Sequence, residues 1–307
     1  MEIHQLQYLV ALAEEGSFTK AAERALVAQP SLSQQIQKLE REIGQPLFDR
    51  LPRGVVPTEA GQRLDEHARR ILAELNDAKR RAGELRDHVT GTLTVGAIPT
   101  VAPFLLPKVV RRFLSRWPDV QLEIVEDVTN RLLEGVERGA LDLALMSAAD
   151  PPPSVLLETL GSEPLLLLLP ARHPLAKRKT VPWAQIEGEP FLVLHEMHCL
   201  AGQVLRFCKP QGLRPCVVAR GAQLATLAEM VSAGLGISVA PDMMRRHDGD
   251  KTRAYRPFAD APPRRDLCVA SALMRYRTNA ARAFVQMVKE SLTESHARAP
   301  DAASAKR

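Results

Sequence analysis

Apolar residues recur with helical spacing through the first sixty positions of the chain. A first helix is predicted by four of them, Leu6, Leu9, Val10 and Ala13. The alanine-rich segment 19–26 predicts a short second helix, and the segment 29–39 predicts a third, with Pro30 suited to its first turn. The segment 47–57 then predicts a short β-wing that carries two arginines. Together these elements indicate a winged helix-turn-helix, although the helix pair alone also fits a plain helical hairpin.

A heptad pattern follows, from Thr58 to about His88. Its apolar or small positions alternate in steps of four and three: Leu64, Ala68, Ile71, Leu75, Ala78, Ala82 and Leu85. This a/d seam predicts one long helix within residues 59–90. An isolated helix would expose the seam, so we expect it to be buried against another protomer. Packing against the chain's own domain is the alternative.

After Thr90 the pattern changes to short apolar strands that alternate with helices, which predicts an α/β domain. The first set comprises strands at 93–97, 120–126 and 141–146 and helices near 104–116 and 129–137. The second set comprises strands at 164–169, 191–194, 216–219 and 237–241, with helices after Cys199 and at 223–233. A strand at 267–271 and a helix at 279–292 close the chain.

This order predicts two α/β lobes that are joined by crossing strands and separated by a cleft. The lobes take up about 91–162 with 267–293, and 163–266, so that the α/β domain as a whole covers 91–293. It resembles the periplasmic-binding-protein fold. The preceding domain covers 1–58, and residues 294–307, rich in Ala, Ser, Arg and Lys, are expected to be a disordered tail.

Composition narrows the class of protein. A chain of 307 residues with 45% hydrophobic and 25% charged residues is ordinary for a globular protein of two or three domains. The net charge of +5 is no argument for nucleic-acid binding, because residues 1–90 contain 13 Lys/Arg and 14 Asp/Glu. Neither a leader pattern nor a long apolar run is found, so we expect a cytoplasmic protein without a membrane partner. In that compartment a disulfide would be transient.

The cysteines supply the candidate chemistry. Cys199 follows a titratable ring, His198, and Cys208 lies nine positions on. Between them, apolar residues at helical spacing predict an amphipathic helix, Leu200, Val204 and Phe207. Nine helical steps separate two Cα atoms by roughly 13 Å, whereas a disulfide needs about 4.4–6.8 Å. These two sulfurs can therefore bond only if the segment unwinds, which would make the bond a switch.

Other interpretations of these residues stay open. A lone cysteine in a cytosolic chain is most often a small buried apolar residue. His195, His198, Cys199 and Cys208 are metal-ligand types, but their spacing lacks the paired C-x-x-C of most structural zinc sites, so no metal is predicted. We expect the two other cysteines to be buried strand residues, Cys216 and Cys268.

The N-terminal motifs resemble those of LysR-type transcriptional regulators. The matching segments are Ser17-Phe18, Ala21-Ala22, Gln29-Pro30-Ser31-Leu32-Ser33, Ile36-Gln37-Lys38-Leu39-Glu40, Leu47-Phe48-Asp49-Arg50 and Thr58-Glu59-Ala60-Gly61. The resemblance implies a mainly α winged helix-turn-helix, a long dimerising linker helix and a two-lobed α/β regulatory domain. Ala28 departs from it, since the family commonly has a serine there that caps the recognition helix.

The same resemblance implies which residues contact promoter DNA. The implied residues are Gln29, Pro30, Ser31, Ser33, Gln34 and Lys38 on the recognition helix, with Arg50 and Arg53 on the wing. Glutamine can read adenine edges, whereas arginine on a wing suits phosphate. Pairing through the linker helix would present two recognition helices to roughly palindromic half-sites.

The regulatory domain resembles that of the peroxide-sensing members of the family. The resemblance rests on the order His198-Cys199-Leu200, Gln203, Phe207-Cys208, and on Ile98-Pro99-Thr100-Val101, Leu105-Leu106-Pro107, Thr129, Gly234-Leu235-Gly236-Ile237 and Pro263-Arg264-Arg265. It implies that Cys199 attacks the peroxide, that Cys208 resolves the oxidised sulfur, and that Arg265 supports the thiolate. Hydrogen bonds to peroxide would come from Thr100, Thr129 and His198, although Thr129 also suits a helix cap.

The function predicted from the sequence is a hydrogen-peroxide-responsive transcriptional activator without a cofactor and without enzymatic turnover. Its implied partners are double-stranded promoter DNA, a second copy or three further copies of the chain, RNA polymerase and a cellular disulfide reductant. A regulator that binds a small metabolite in the cleft is the nearest alternative. A thiol peroxidase is less favoured, because some 90 residues are given to the winged helix and the seam.

Overall fold

The computed structural model describes residues 1–52, 54–83, 88–208, 210, 212, 214–260 and 262–297. The chain divides into two compact units. One comprises Met1–Leu85 with Arg138–Ala140, and the other comprises Arg86–Glu137 with Leu141–Arg307. None of the helices formed by the described residues combines the length and apolar character that crossing a bilayer requires.

The first unit is a winged helix-turn-helix followed by a long helix. Its elements are α1 (Ile3–Glu15), α2 (Phe18–Arg24), α3 (Gln29–Ile43), β1 (Phe48–Leu51), β2 (Gly54–Pro57) and α4 (Glu59–Gly83). Leu32, Ile36 and Leu39 of α3 are buried in its core. The antiparallel wing β1–β2 is anchored to the end of α1 by a 2.8 Å hydrogen bond from Val55 N to Gly16 O.

The heptad seam on α4 is only partly available to another protomer. Ala68 is fully buried and Leu64 is half-buried, and both pack against the core of the winged helix-turn-helix. At these two positions the alternative holds, because both residues pack against the chain's own domain. Ile71, by contrast, is 43% exposed. Leu85, the last position of the predicted seam, lies outside the described residues.

The second unit alternates strands and helices. Its first elements are β3 (Gly91–Ala97), α5 (Ala102–Arg116), β4 (Val120–Glu126), α6 (Thr129–Glu137), β5 (Leu143–Ser147) and β6 (Val155–Pro170). Two short 3₁₀ helices follow, Pro174–Lys177 and Trp183–Ile186. Next come β7 (Pro190–Leu194), α7 (Cys199–Cys208), β8 (Cys216–Gly221), α8 (Leu224–Ser232), β9 (Ser238–Pro241), α9 (Asp242–His247), β10 (Arg253–Arg256), β11 (Arg264–Ala272) and α10 (Asn279–Ala297).

Strand β6 runs through both lobes of this unit; lobe 1 contains β3, β4, β5 and β11, and lobe 2 contains β7, β8, β9 and β10. In lobe 1, β3 pairs in parallel with β4 and β5, and β5 pairs with the antiparallel strand β11. The first part of β6 pairs with β11, whereas its last part pairs with β9 and β10 in lobe 2. Each lobe encloses its own apolar core, and Phe104 packs against both. The predicted fold class, a winged helix-turn-helix with a two-lobed α/β domain, is confirmed.

The structure also differs from the prediction in several elements. Strand β6 begins at Val155, nine residues before the predicted strand, because its first part pairs with β11 in lobe 1. Helix α9 and strand β10 were not predicted. Helix α10 continues to Ala297, four residues into the predicted disordered tail; the remainder of that tail lies outside the described residues.

Candidate functional site

Helix α7 places Cys199 at the boundary between the two lobes. Cys199 is the first residue of the helix, is half-buried and packs against the core of lobe 1. The buried residues of the same helix belong to the core of lobe 2: Leu200, Ala201, Val204 and Cys208. The positive end of the helix dipole therefore lies beside the Cys199 sulfur. The segment that leads into α7 is joined to β8 by a hydrogen bond from His195 N to Gly221 O.

The helix keeps the two candidate redox sulfurs apart. Cys208 is its last residue and is 1% exposed, and this burial raises the pKa of the Cys208 thiol to about 11. Nine helical steps place the two Cα atoms about 13 Å apart, well beyond the span of a disulfide. All four cysteines are free thiols. Cys199 and Cys208 can therefore bond only if α7 unwinds, as the sequence predicted.

The two remaining cysteines differ from each other. Cys268 in β11 is buried, as predicted, and burial raises the pKa of its thiol. Cys216, expected to be a buried strand residue, is exposed. The reason is that it begins β8, which is bonded to β7 on one side only and turns alternate residues to solvent.

Thr100 is held by a buried ion pair between the neighbouring strands β6 and β11. Arg265 Nη1 donates to Thr100 Oγ1 at 2.8 Å, and Arg265 Nη2 donates to Thr100 O at 2.9 Å. The same guanidinium binds Glu163 through Nε at 2.8 Å and Nη2 at 2.7 Å. Glu163 and Arg265 face each other in the β6–β11 register and are both buried. The predicted support of the Cys199 thiolate by Arg265 therefore stays a prediction, since the contacts of Arg265 are with Thr100, Glu163 and Met243.

Thr129 and His198 are buried polar residues that keep an unused hydrogen-bonding atom. Thr129 begins α6, and the parallel pairing of β3 and β4 brings Thr129 to the same sheet edge as Thr100. Thr129 is 7% exposed and His198 is 6% exposed. Within the described part of the chain, Thr129 Oγ1 and His198 Nε2 have no hydrogen-bond partner. Buried groups of this kind are normally paired, so these two suit a small polar guest.

Three further polar residues of this region were not predicted as site residues. Ser147 ends β5 at the same edge of lobe 1, and its buried hydroxyl has no partner among the described residues. Gln203 lies one helical turn after Cys199, and its buried Oε1 is likewise unpaired there. Glu163 holds Arg265. The sequence shows Ser147 at a strand end and Gln203 four residues after Cys199, so both could have been found. It does not show that Glu163 pairs with Arg265. No group of three metal-ligating side chains occurs in the described residues.

The predicted DNA-contacting face is largely accessible. The exposed members are Gln29, Pro30, Ser31, Gln34 and Lys38, and Ser33 is half-buried. Lys38 Nζ lies 3.1 Å from Glu2 Oε1, and the Arg50 guanidinium lies 4.9 Å from the centre of the Phe18 ring. The cap residue of α3, Ala28, offers no side-chain hydrogen bond. Arg53 lies outside the described residues.

Comparison with known proteins defines the class. Residues 3–62 match the family described as "Bacterial regulatory helix-turn-helix protein, lysR family", and residues 86–293 match "LysR substrate binding domain". The chain therefore belongs to the LysR family of DNA-binding transcriptional regulators, which confirms the resemblance drawn from its motifs.

Within that family the chain is similar to OxyR. It is 37% identical over 271 residues to the DNA-binding transcriptional dual regulator OxyR of Escherichia coli (strain K12), covering 87% of this chain and 88% of that protein. It is 35% identical over 270 residues to the hydrogen peroxide-inducible genes activator of Haemophilus influenzae, covering 88% of this chain and 90% of that one. Full-length OxyR C199D from Pseudomonas aeruginosa superposes with a TM-score of 0.79 at 29% identity, covering 95% of this chain and 94% of that one.

Proposed function

We propose that this chain is a hydrogen-peroxide-responsive transcriptional regulator whose sensor is Cys199. The observation that carries the proposal is the position of this thiol at a helix N-terminus, directly after His198, whose buried Nε2 has no partner among the described residues; the buried Thr129 Oγ1 is unpaired there as well. The names of the similar proteins, hydrogen peroxide-inducible genes activators, support it. A hydrogen-peroxide-bound OxyR mutant of Corynebacterium glutamicum also shares the fold, with a TM-score of 0.65 at 30% identity over 96% of each chain.

The first chemical step oxidises Cys199. Its thiolate attacks one oxygen of hydrogen peroxide, the O–O bond breaks, and the sulfur becomes a sulfenic acid. The second oxygen leaves as hydroxide and takes a proton to become water. Peroxide is a donor and an acceptor at both ends, so the hydroxyls of Thr100 and Thr129 and the ring nitrogen of His198 are suitable partners for it.

The second step joins the two ends of α7. The Cys208 sulfur attacks the sulfur of the Cys199 sulfenic acid, a disulfide forms, and water leaves with the Cys208 proton. Since the helix holds the two Cα atoms too far apart, α7 must unwind for this step. Unwinding withdraws apolar side chains from the core of lobe 2. The change in this core is the signal that reaches the DNA-binding domain.

The functional unit is a homodimer, or a pair of dimers, on promoter DNA. Positions 71, 75 and 78 of α4 are exposed or half-buried in the protomer, so this part of the seam is available to a second copy. RNA polymerase is the partner for activation, and a cellular dithiol reductant restores the helix. The protein acts in the cytoplasm.

The test follows one sulfur at a time in the full-length protein. Cys208→Ser keeps the attacking thiol, so after peroxide treatment dimedone should trap a sulfenic acid at Cys199, and no disulfide should form there. Cys199→Ser should remain unmodified at this site and should keep its DNA footprint in the presence of peroxide. A parent protein whose Cys199 stays unmodified in peroxide, while a small metabolite changes its footprint, would contradict the proposal and favour a metabolite-binding regulator.

A further inference from the structure

We infer that Glu163 is a positioning residue for the reaction of Cys199 with peroxide, an inference that rests on the proposed function. Glu163 is 2% exposed and lies on β6 at the crossing of the two lobes. Its carboxylate contacts Arg265, which in turn holds Thr100. Glu163 thus acts on the peroxide site through two other residues.

The two carboxylate oxygens of Glu163 have different tasks. Oε1 accepts from Nε and Nη2 of Arg265, which fixes the plane of the guanidinium. Oε2 accepts a 2.9 Å hydrogen bond from Met243 N, in the first turn of α9. One buried carboxylate therefore joins β6, β11 and α9, and it compensates the charge of a fully buried arginine.

The orientation of Arg265 decides what the Thr100 hydroxyl can do. Thr100 Oγ1 already accepts from Arg265 Nη1, so its own hydrogen is left to donate to a guest. A hydroxyl that accepts from a cation is also a stronger donor. In the oxidation step such a donor stabilises the peroxide oxygen that leaves as hydroxide. Arg265 Nη2 fixes the Thr100 carbonyl as well, so the whole residue is held in place.

Loss of the carboxylate should therefore affect the peroxide reaction more than the general reactivity of the thiol. Without Glu163 the guanidinium loses the partner that sets its plane, and Thr100 loses a fixed donor. Alkylation of Cys199 by iodoacetamide has no leaving hydroxide for Thr100 to stabilise, so it reports accessibility and thiol reactivity alone. The ratio of the two rates separates a positioning role from a merely structural one.

A matched control lies on the same strand. Glu158 of β6 also binds two cations, with Arg277 Nη1 at 2.9 Å and Lys289 Nζ at 2.7 Å from its carboxylate. It is 30% exposed, and it lies opposite Val269 in the β6–β11 register, five residues before Glu163 on β6. E158Q therefore removes the same charge from the same strand and leaves the Thr100–Arg265 contact intact.

The experiment measures both rates on the Cys199 peptide by mass spectrometry, using full-length protein in a Cys208→Ser background. We expect E163Q to slow sulfenic acid formation by hydrogen peroxide about tenfold or more, as small misplacements at a reacting centre do, and to leave alkylation by iodoacetamide within about twofold of the parent. E158Q should leave both rates unchanged. Equal loss of both rates in E163Q, or no loss of the peroxide rate, would overturn the inference.

A second variant covers the case in which E163Q fails to fold. E163D keeps the charge, but it is one methylene too short to reach both Arg265 and Met243 N. It should slow the peroxide reaction by about threefold or more without slowing alkylation; a parent-like peroxide rate would overturn the inference. The proposed function and the role of Glu163 fail in different ways. A parent protein whose Cys199 does not react with peroxide contradicts Cys199 as the sensor. A reactive parent with an equally reactive E163Q contradicts only the role of Glu163.

Discussion

Gly202→Ala should make the Cys199–Cys208 disulfide harder to form, because it strengthens the helix that has to unwind. Gly202 is an exposed interior residue of α7. A methyl group added there would meet only the end of the Arg206 side chain, at 3.9 Å. The substitution therefore changes the helical preference of the backbone without a steric penalty.

The size of the effect follows from helix propensity. Alanine in an exposed helix interior is more stable than glycine by about 1 kcal/mol, and this difference is lost when the segment unwinds. A gain of about 1 kcal/mol in the reduced state alone shifts the dithiol–disulfide equilibrium about fivefold toward the dithiols. For this two-electron couple the shift corresponds to about 20 mV, toward a less negative potential.

The assay is a titration of reduced and oxidised protein in glutathione buffers of known potential, with the Cys199–Cys208 bond quantified by mass spectrometry. Gly249→Ala is the control, since Gly249 lies outside α7 and an added methyl group meets nothing there within 4 Å. It should leave the potential unchanged. If Gly202→Ala left the potential where it is in the parent, unwinding of α7 could not be part of disulfide formation.

Four further substitutions test the cap of α3, the burial of Cys208 and the contacts with DNA. Ala28→Ser should raise the stability of the DNA-binding unit by about 1 kcal/mol in denaturant titrations, because it supplies the missing cap of α3; an unchanged midpoint would contradict a productive cap. Burial raises the pKa of the Cys208 thiol to about 11, above its ordinary value of 9.0. The neutral buried thiol therefore stabilises the folded state fully below pH 9, and this stabilisation is lost as the pH rises through 11. This loss of unfolding free energy at alkaline pH, at most about 3 kcal/mol, should vanish in Cys208→Ala. If the loss persisted in that variant, it would come from a group other than Cys208. Gln34→Ala should lower affinity for specific DNA alone, whereas Arg50→Ala should weaken all DNA alike with a smaller salt slope; equal losses on specific and random DNA for Gln34→Ala would refute base reading.

Much of the fold follows from local periodicity. The structure differs from the prediction where pairing with another strand decides which residues form a strand. The apolar face of α3 and the βα alternation of lobe 1 repeat at fixed intervals, so both could be predicted. Strand β6 could not be bounded, because its first part contains Glu158, Gly161 and Glu163, and a polar run of this kind becomes a strand only by pairing with β11. Helix α9 is six residues long, too short to show a period.

In the candidate site, relations between residues close in the chain could be predicted, and those between distant residues could not. Cys199 and His198 are neighbours in the chain, and Cys208 ends the same helix, so their relation is local. Glu163 and Arg265 are 102 residues apart in the chain and meet only through the register in which β6 pairs with β11. Cys216 was predicted to be a buried strand residue, and it is exposed because β8 lies at the edge of its sheet.

Peptide mapping of the oxidised parent tests the central claim most directly. Trypsin cleaves after Arg206, which places Cys199 in the peptide 180–206, while the prolines after Lys209 and Arg214 keep Cys208 and Cys216 together in 207–220. After brief treatment with hydrogen peroxide, we predict that these two peptides become covalently joined, that fragmentation places the bond between Cys199 and Cys208, and that Cys216→Ser leaves the bond in place. Separate peptides with an unmodified Cys199, or a bond confined to 207–220, would contradict the account.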